Sequence, residues 1–146
     1  MTRRASRRPA AAHPSPGPLP CPCGLPAVYD ACCGRLHRGE TAAATAERLM
    51  RSRYSAFAVG DEPYLLRSWH PRTRPAAAPA DPELRWLRLE ILATDGGSPF
   101  HSEGRVSFRA HHIRRGRAGV LEEESRFVRD AGAWVYLDGA VSGESG

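Results

Sequence analysis

The chain has 146 residues, a length that suits one domain with short extensions. Hydrophobic residues make up 41% and charged residues 25% of the sequence, which excludes a wholly disordered protein and a membrane-spanning one. The formal net charge is +5, but four arginines lie within the first eight residues, so the remainder is close to neutral and we expect no specific nucleic-acid binding.

The first twenty residues form a segment rich in arginine and proline. Five prolines interrupt it, and no apolar stretch of the length that an export signal requires follows the arginine pairs. We therefore expect residues 1–20 to be a disordered leader and the protein to be cytoplasmic. In a reducing cytoplasm, cysteines that lie close together are more often metal ligands than disulfides.

Four cysteines lie within the next thirteen residues: Cys21, Cys23, Cys32 and Cys33. Zinc in structural sites takes four soft ligands in a tetrahedron, and a closed set of four thiolates leaves no open position for a catalytic water. The spacing predicts a module over residues 21–38 that binds one structural Zn²⁺ per chain. Free buried thiols, or a redox pair, are the alternative interpretation.

Helical patterns follow the cysteines. Thr45 can cap a helix whose apolar residues recur on one face until Gly60 ends it. Asp61 can cap a second, shorter helix, which Pro71 ends. After a loop, glycine-containing turns separate four segments with strand-like alternation, at residues 86–92, 105–113, 120–128 and 134–137.

Helices that precede consecutive strands joined by short turns are typical of an α+β domain with an antiparallel sheet. We place this domain over residues 41–140. Residues 141–146 are expected to be a disordered tail, and no internal repeat is visible in the chain.

The cysteine segment resembles the SEC-C motif, a short zinc module at the C-terminus of the SecA translocation motor and on many bacterial proteins. That motif has Cys-x-Cys, eight residues, and then Cys followed by Cys or His, and all four ligand positions match here. The Ser-Gly-Lys that usually follows its first glycine is replaced by Leu25-Pro26-Ala27. The resemblance implies the metal site, while the replacement removes basic residues that support partner binding in the motor.

Five short motifs in the rest of the chain are similar to those of the YchJ-like family of small uncharacterised bacterial proteins, at residues 49–54, 68–71, 86–87, 125–127 and 134–139. The resemblance covers residues 21–139. It implies a nuclear transport factor 2-like (NTF2-like), or cystatin-like, domain, in which helices pack against a strongly curved antiparallel sheet that encloses a conical pocket. It implies no established activity.

Candidate pocket residues come from polar groups that fall on apolar faces. Arg53 lies four positions after Leu49 on the apolar face of the long helix, where an unpaired guanidinium is costly. It should meet a carboxylate or a bound anion, or else extend to water beside Tyr54. Trp69 and His70 end the second helix, where the imidazole either caps the helix or acts as an acid or base.

Strand alternation supplies the remaining candidates. It places Glu123 and Ser125 on one face of the third strand, and Tyr136 and Asp138 on one face of the last. A solvated edge is the alternative for Glu123. We predict that Arg53 faces Glu123 or Asp138 across the pocket, with Trp69 and His70 at its rim. The predicted pocket residues are Arg53, Trp69, His70, Glu123, Ser125, Tyr136 and Asp138.

These expectations favour a zinc-containing cytoplasmic binding or accessory protein with a conical pocket for a small molecule or a peptide. A small acid–base enzyme of the isomerase or dehydratase type, with His70 and either Glu123 or Asp138, is an alternative. A factor that meets ribosomes or the secretion apparatus through the zinc module is another. No catalytic residue is assigned, no membrane partner is expected, and a homodimer is left open.

Overall fold

The cysteine segment is the first part of the chain in the computed structural model, which describes residues 19–145. The backbone N–H of Tyr29 donates to the carbonyl of Leu19 at 2.9 Å, which closes the segment on itself. A 3-10 turn over Tyr29–Ala31 and helix α1 over Cys33–His37 follow. The segment thus begins at Leu19, and the earlier part of the predicted leader lies outside the described residues.

Two further helices follow, as the sequence predicts. The Thr45 hydroxyl accepts a hydrogen bond from the first turn and caps α2, which spans Ala46–Val59. Gly60 ends α2 in a left-handed conformation with φ of 79°. Helix α3 spans Glu62–Arg67 and is capped by the Asp61 side chain. None of the helices within residues 19–145 has the length and apolarity that a bilayer crossing requires.

Four consecutive strands form one antiparallel sheet, in which each strand pairs with the next along the chain. The strands are β1 over Leu84–Gly96, β2 over Glu103–Arg114, β3 over Arg117–Asp130 and β4 over Ala133–Ser145. Helices followed by an antiparallel sheet confirm the predicted α+β class.

The last strand corrects the prediction of a disordered tail. β4 continues to Ser145, which pairs with Val120 of β3, so residues 141–145 belong to the sheet. Backbone hydrogen bonds to the neighbouring strand hold this end, and such bonds leave no signal in the hydrophobic pattern of a sequence. Gly146 lies outside the described residues.

Register shifts bend the two outer strands. On β1, Leu87 and Leu92 have no partner on β2, and on β4, Leu137 and Ser142 have none on β3. The pairing of β2 with β3 is continuous. An unpaired extra residue of this kind is a β-bulge, which bends the strand and increases its twist. These four bulges therefore shape the curvature of the sheet.

Helix α2 packs on the inner face of the sheet. Leu49 and Tyr54 of α2 are buried in one cluster with Val106, Phe108 and Phe127 of the strands. Apolar side chains alternate with charged ones along the strands, so the outer face carries the charged groups. The packing holds one side of α2 over the inner face, where the candidate site lies.

Candidate metal centre and adjoining cavity

The four cysteine side chains converge and are all buried. Their Sγ atoms all lie within 4.8 Å of one another, and those of Cys23 and Cys32 are 3.7 Å apart. In a tetrahedral site with metal–sulfur bonds of about 2.3 Å, neighbouring sulfurs are about 3.8 Å apart. The four thiols are therefore positioned to hold one metal ion.

Helix α2 supplies polar groups to the sulfurs. Arg48 donates from Nη1 to Cys33 Sγ at 3.2 Å and from Nη2 to Cys32 Sγ at 3.3 Å. The Ser55 hydroxyl, fully buried, lies 3.6 Å from Cys21 Sγ. A guanidinium beside two sulfurs favours the thiolate form, which is the form that binds metals.

Hydrogen bonds between the thiols also favour the thiolate form. The hydrogen bond from Cys23 lowers the pKa of Cys33 to about 4, with further lowering by Ser55 and Arg48 and opposition from burial. The same hydrogen bond, together with burial, raises the pKa of Cys23. The lowered pKa of Cys33 favours its thiolate form, which is the form that binds metals.

Further hydrogen bonds join the cysteine segment to α2. Arg51 donates from Nη1 to the carbonyl of Cys23 at 2.7 Å. His37 lies between the two parts, with Nε2 at 2.8 Å from the carbonyl of Ser52 and Nδ1 at 2.6 Å from the hydroxyl of Tyr29. These bonds connect the cysteine cluster directly to the helix that forms the roof of the sheet.

A cavity of about 740 Å³ lies on the other side of α2. It is bounded by α2, α3, the loop that follows α3 and the inner face of the sheet. Most of its walls are apolar or aromatic, including Phe57, Trp69, Trp86 and Phe108. A few polar groups interrupt these walls, and Arg53 is one of them.

Arg53 is only 4% exposed and has no carboxylate within ion-pair distance among residues 19–145. Its Nη1 donates to the carbonyl of Leu65 at 2.8 Å and to the hydroxyl of Ser68 at 2.7 Å. The guanidinium carbon lies 4.8 Å from the ring centre of Trp69 and 4.6 Å from that of Tyr136. Burial lowers the pKa of Arg53 to about 10, so the group stays charged at neutral pH.

Glu123 provides the opposite charge in the same cavity. Its Oε2 accepts a hydrogen bond of 2.7 Å from the buried Ser125 hydroxyl. A Cβ atom on Gly139 would collide with this carboxylate, so the glycine on β4 makes room for it. Burial, with the nearby charge of Glu123, raises the pKa of Tyr136 to about 12, so the Tyr136 phenol keeps its proton.

Four predicted pocket residues line this cavity: Arg53, Trp69, Glu123 and Tyr136. Ser125 lies behind Glu123 and holds it. His70 is absent from the residues that line the cavity, and its Nδ1 accepts from the backbone N–H of Arg72 at 3.0 Å. The predicted place of His70 at the rim is therefore not seen.

The prediction for Asp138 is wrong. Asp138 lies on the outer face of the sheet, where Arg126 donates to both of its oxygens at 2.7 and 2.6 Å. The bulge at Leu137 is the reason, because Tyr136 pairs with Phe127 while Asp138 pairs with Arg126. One extra residue thus moves Tyr136 and Asp138 to opposite faces of β4.

Sequence reasoning missed the groups that α2 directs at the cysteines. A signal exists, because Arg48 and Ser55 recur on one helical face together with Ser52, whose hydroxyl bonds to that of Tyr64. Ser52 and Ser55 are fully buried, which polar residues rarely are without partners. A polar stripe opposite the apolar stripe of a buried helix therefore predicts a second packed surface.

The comparisons with known proteins agree with this geometry. A model of the YchJ middle NTF2-like domain matches residues 45–139. Two solved proteins described as containing a SEC-C motif are similar in structure. One, from Rhodopseudomonas palustris, has a TM-score of 0.73 and 32% identity, over 84% of this chain and 98% of that one. The other, from Psychrobacter arcticus, has a TM-score of 0.67 and 27% identity, over 84% and 82%.

The fold and the cysteine cluster define an NTF2-like protein with an attached SEC-C-type module. A UPF0225 protein from Streptomyces avermitilis is 58% identical over 136 residues, 93% of this chain and 92% of the relative. One from Cupriavidus pinatubonensis is 45% identical over 147 residues, 97% and 99% of the two chains. The chain belongs to the YchJ-like, or UPF0225, family, which confirms the predicted family and fold.

Proposed function

We propose that this chain is a cytoplasmic zinc protein that holds a small molecule in the cavity between α2 and the inner face of the sheet. The observation that carries the proposal is that Arg53 has hydrogen-bond donors left without an acceptor in the described part of the chain. A guanidinium has five N–H donors. Those on Nε and Nη2 of Arg53 have no acceptor among residues 19–145, although the group lines the cavity.

Unused donors of this kind favour a bound partner. Among residues 19–145 the one fully buried side-chain polar atom without a partner is His112 Nδ1, so the unused N–H groups of Arg53 are open to the cavity. Water or a ligand in the cavity can accept these bonds, and the cavity volume of about 740 Å³ falls in the range of small-molecule sites. Apolar walls with a few convergent polar groups are also typical of such sites.

We infer that the cysteine centre holds zinc and has a structural role. Four thiolates in a tetrahedron suit Zn²⁺ and leave no position for substrate. The centre and the cavity lie on different faces of α2, with Ser55 directed to the sulfurs and Arg53 to the cavity. The metal therefore orders the helix that roofs the binding site and takes no part in binding.

The acid–base enzyme is the weaker candidate. It requires His70 with Glu123 or Asp138, and of these three only Glu123 lines the cavity. A protein partner that contacts the cysteine module is a further hypothesis, which rests on the similarity to SEC-C motif proteins.

Native mass spectrometry of the full chain, purified from the cells in which it occurs, tests the proposal. We expect one zinc ion and a small molecule of constant mass that is released on denaturation. Arg53→Met should lose the small molecule and keep the zinc. Arg126→Met, on the outer face, is the matched control and should keep both. A wild-type protein that carries zinc and never a second mass would contradict the binding function.

A further inference from the structure

The charged groups of the cavity restrict the ligands it can hold. Asp81 is neutralised by Arg114, whose Nε lies 2.8 Å from Oδ2. The carboxylate of Glu62 accepts from the backbone N–H of Ala78 at 3.0 Å. The lining has no excess of positive charge, so an anionic ligand gains little from it. Its charged residues are Arg53, Glu62, Asp81 and Glu123.

Arg53 and Glu123 require a partner that can both accept and donate. Arg53 has free N–H groups, and Glu123 has one oxygen, Oε1, that accepts no hydrogen bond from residues 19–145. The two side chains line one cavity but do not form an ion pair with each other. A head group placed between them must therefore accept from Arg53 and donate to Glu123. The Tyr136 hydroxyl keeps its proton, so it can donate a hydrogen bond to this head group or accept one from it.

The walls indicate the shape of the rest of the ligand. The Trp86 ring centre lies 6.0 Å from that of Tyr54 and 6.4 Å from that of Phe57, and all three rings line the cavity. Trp69 and Tyr136 form a second aromatic group around Arg53. Aromatic walls favour flat apolar molecules, which pack against rings in offset or edge-on contacts.

We propose that the cavity binds an uncharged, flat aromatic molecule with an amide-type head group, in which the carbonyl accepts from Arg53 and the adjacent N–H donates to Glu123. This inference rests on the binding function proposed above and adds the chemical class of the ligand. A carboxylate head lacks the donor and meets Glu123 as a like charge. An amidinium head lacks the acceptor and meets Arg53 as a like charge.

Three planar probes of nearly equal size test this assignment: 2-naphthamide, 2-naphthoate and 2-naphthamidinium. Their dissociation constants are measured by calorimetry at pH 7 with the full zinc-loaded chain. We expect the amide to bind at least about tenfold more tightly than either ion, a difference of about 1.4 kcal/mol. Tighter binding of the carboxylate or of the amidinium overturns the ligand class and leaves the binding function standing.

Two variants sharpen the test. Glu123→Gln removes the negative charge at nearly constant shape, so the affinity for 2-naphthoate should rise about tenfold or more relative to 2-naphthamide. Glu124→Gln is the matched control, because Glu124 is exposed and pairs with Arg105, and it should change neither affinity. An unchanged ratio in Glu123→Gln overturns the proposed head-group contact. Failure of all three probes to bind a natively folded chain overturns the ligand class, whereas the binding function fails only if native mass spectrometry finds no bound small molecule.

Discussion

Helix α2 directs a partly buried arginine, Arg48, towards the cysteine centre and a fully buried one, Arg53, towards the cavity. Although burial lowers it, the pKa of Arg48 is raised overall by its hydrogen bond to Cys33 and by nearby thiolate charge. Burial lowers the pKa of Arg53, whose contacts are two neutral oxygens and two aromatic rings. The centre thus supplies the counter-charge of its arginine from within the chain, whereas no carboxylate among residues 19–145 lies within ion-pair distance of the cavity arginine.

Removal of two of the four thiolates should produce the largest effect, which is a loss of zinc from the cysteine centre. The double variant Cys23→Ser, Cys33→Ser loses two of four ligands, so zinc should fall from one equivalent to less than about a tenth, because affinity in such sites depends on the complete set. Elemental analysis of the reduced protein checks this. Amide exchange should rise in α1 and stay slow in β2 and β3. Equal loss of protection in the sheet would show that the two regions are not separate.

Removal of the cavity arginine should have a smaller effect, on stability. Arg53→Met leaves the carbonyl of Leu65 without its charged donor, so we expect the free energy of unfolding to fall by about 1–3 kcal/mol. Urea denaturation measures the change. Arg126→Met, which breaks an exposed ion pair, should cost no more than about 1 kcal/mol. Equal losses in both variants would mean that the hydrogen bonds of the buried Arg53 contribute no more to stability than an exposed ion pair does.

Arg48, which contacts the cysteine sulfurs, should affect zinc affinity more than it affects folding. Arg48→Met removes two N–H donors from sulfur, so zinc affinity should fall about 10–100-fold, as for other groups that contact metal ligands. Competition with a chromophoric chelator measures it. Arg51→Met is the matched control, because Arg51 donates to a backbone carbonyl, and its loss of affinity should be smaller. An equal loss in both variants would remove the special role of the N–H···S bonds.

The smallest effect concerns the outer face and pH. The hydrogen bond from Arg126 lowers the pKa of Asp138. A carboxyl group whose pKa is lowered on folding stabilises the fold at pH values above its unfolded pKa of about 3.9. This contribution is lost as the pH falls through the folded pKa. A double-mutant cycle of Arg126→Met with Asp138→Asn should give less than about 1 kcal/mol at pH 7, because the pair is exposed. The coupling should vanish at the acid end of the titration, and a coupling that grows on acidification would be inconsistent with this sign.

Sequence reasoning was accurate where the interactions join residues close together in the chain, and it failed where they join distant ones. The cysteine ligands lie within thirteen residues, and helix caps such as Thr45 act within one turn, so local spacing was sufficient for both. The face of Asp138 depended on a bulge at Leu137, which arises from pairing with β3. Arg53 was predicted to be directed towards the core, but its partners at Leu65 and Ser68 come from a helix whose docking the sequence pattern does not encode.

The four bulges have a consequence for how copies of this chain behave beside one another. All four lie on β1 and β4, the outermost strands, while β2 and β3 are regular. An outermost strand offers a row of free backbone donors and acceptors that can recruit a strand of another molecule, and a bulge breaks the even spacing that such recruitment needs. The irregular residues Leu87, Leu92, Leu137 and Ser142 therefore protect the sheet against growth into a fibre at high concentration.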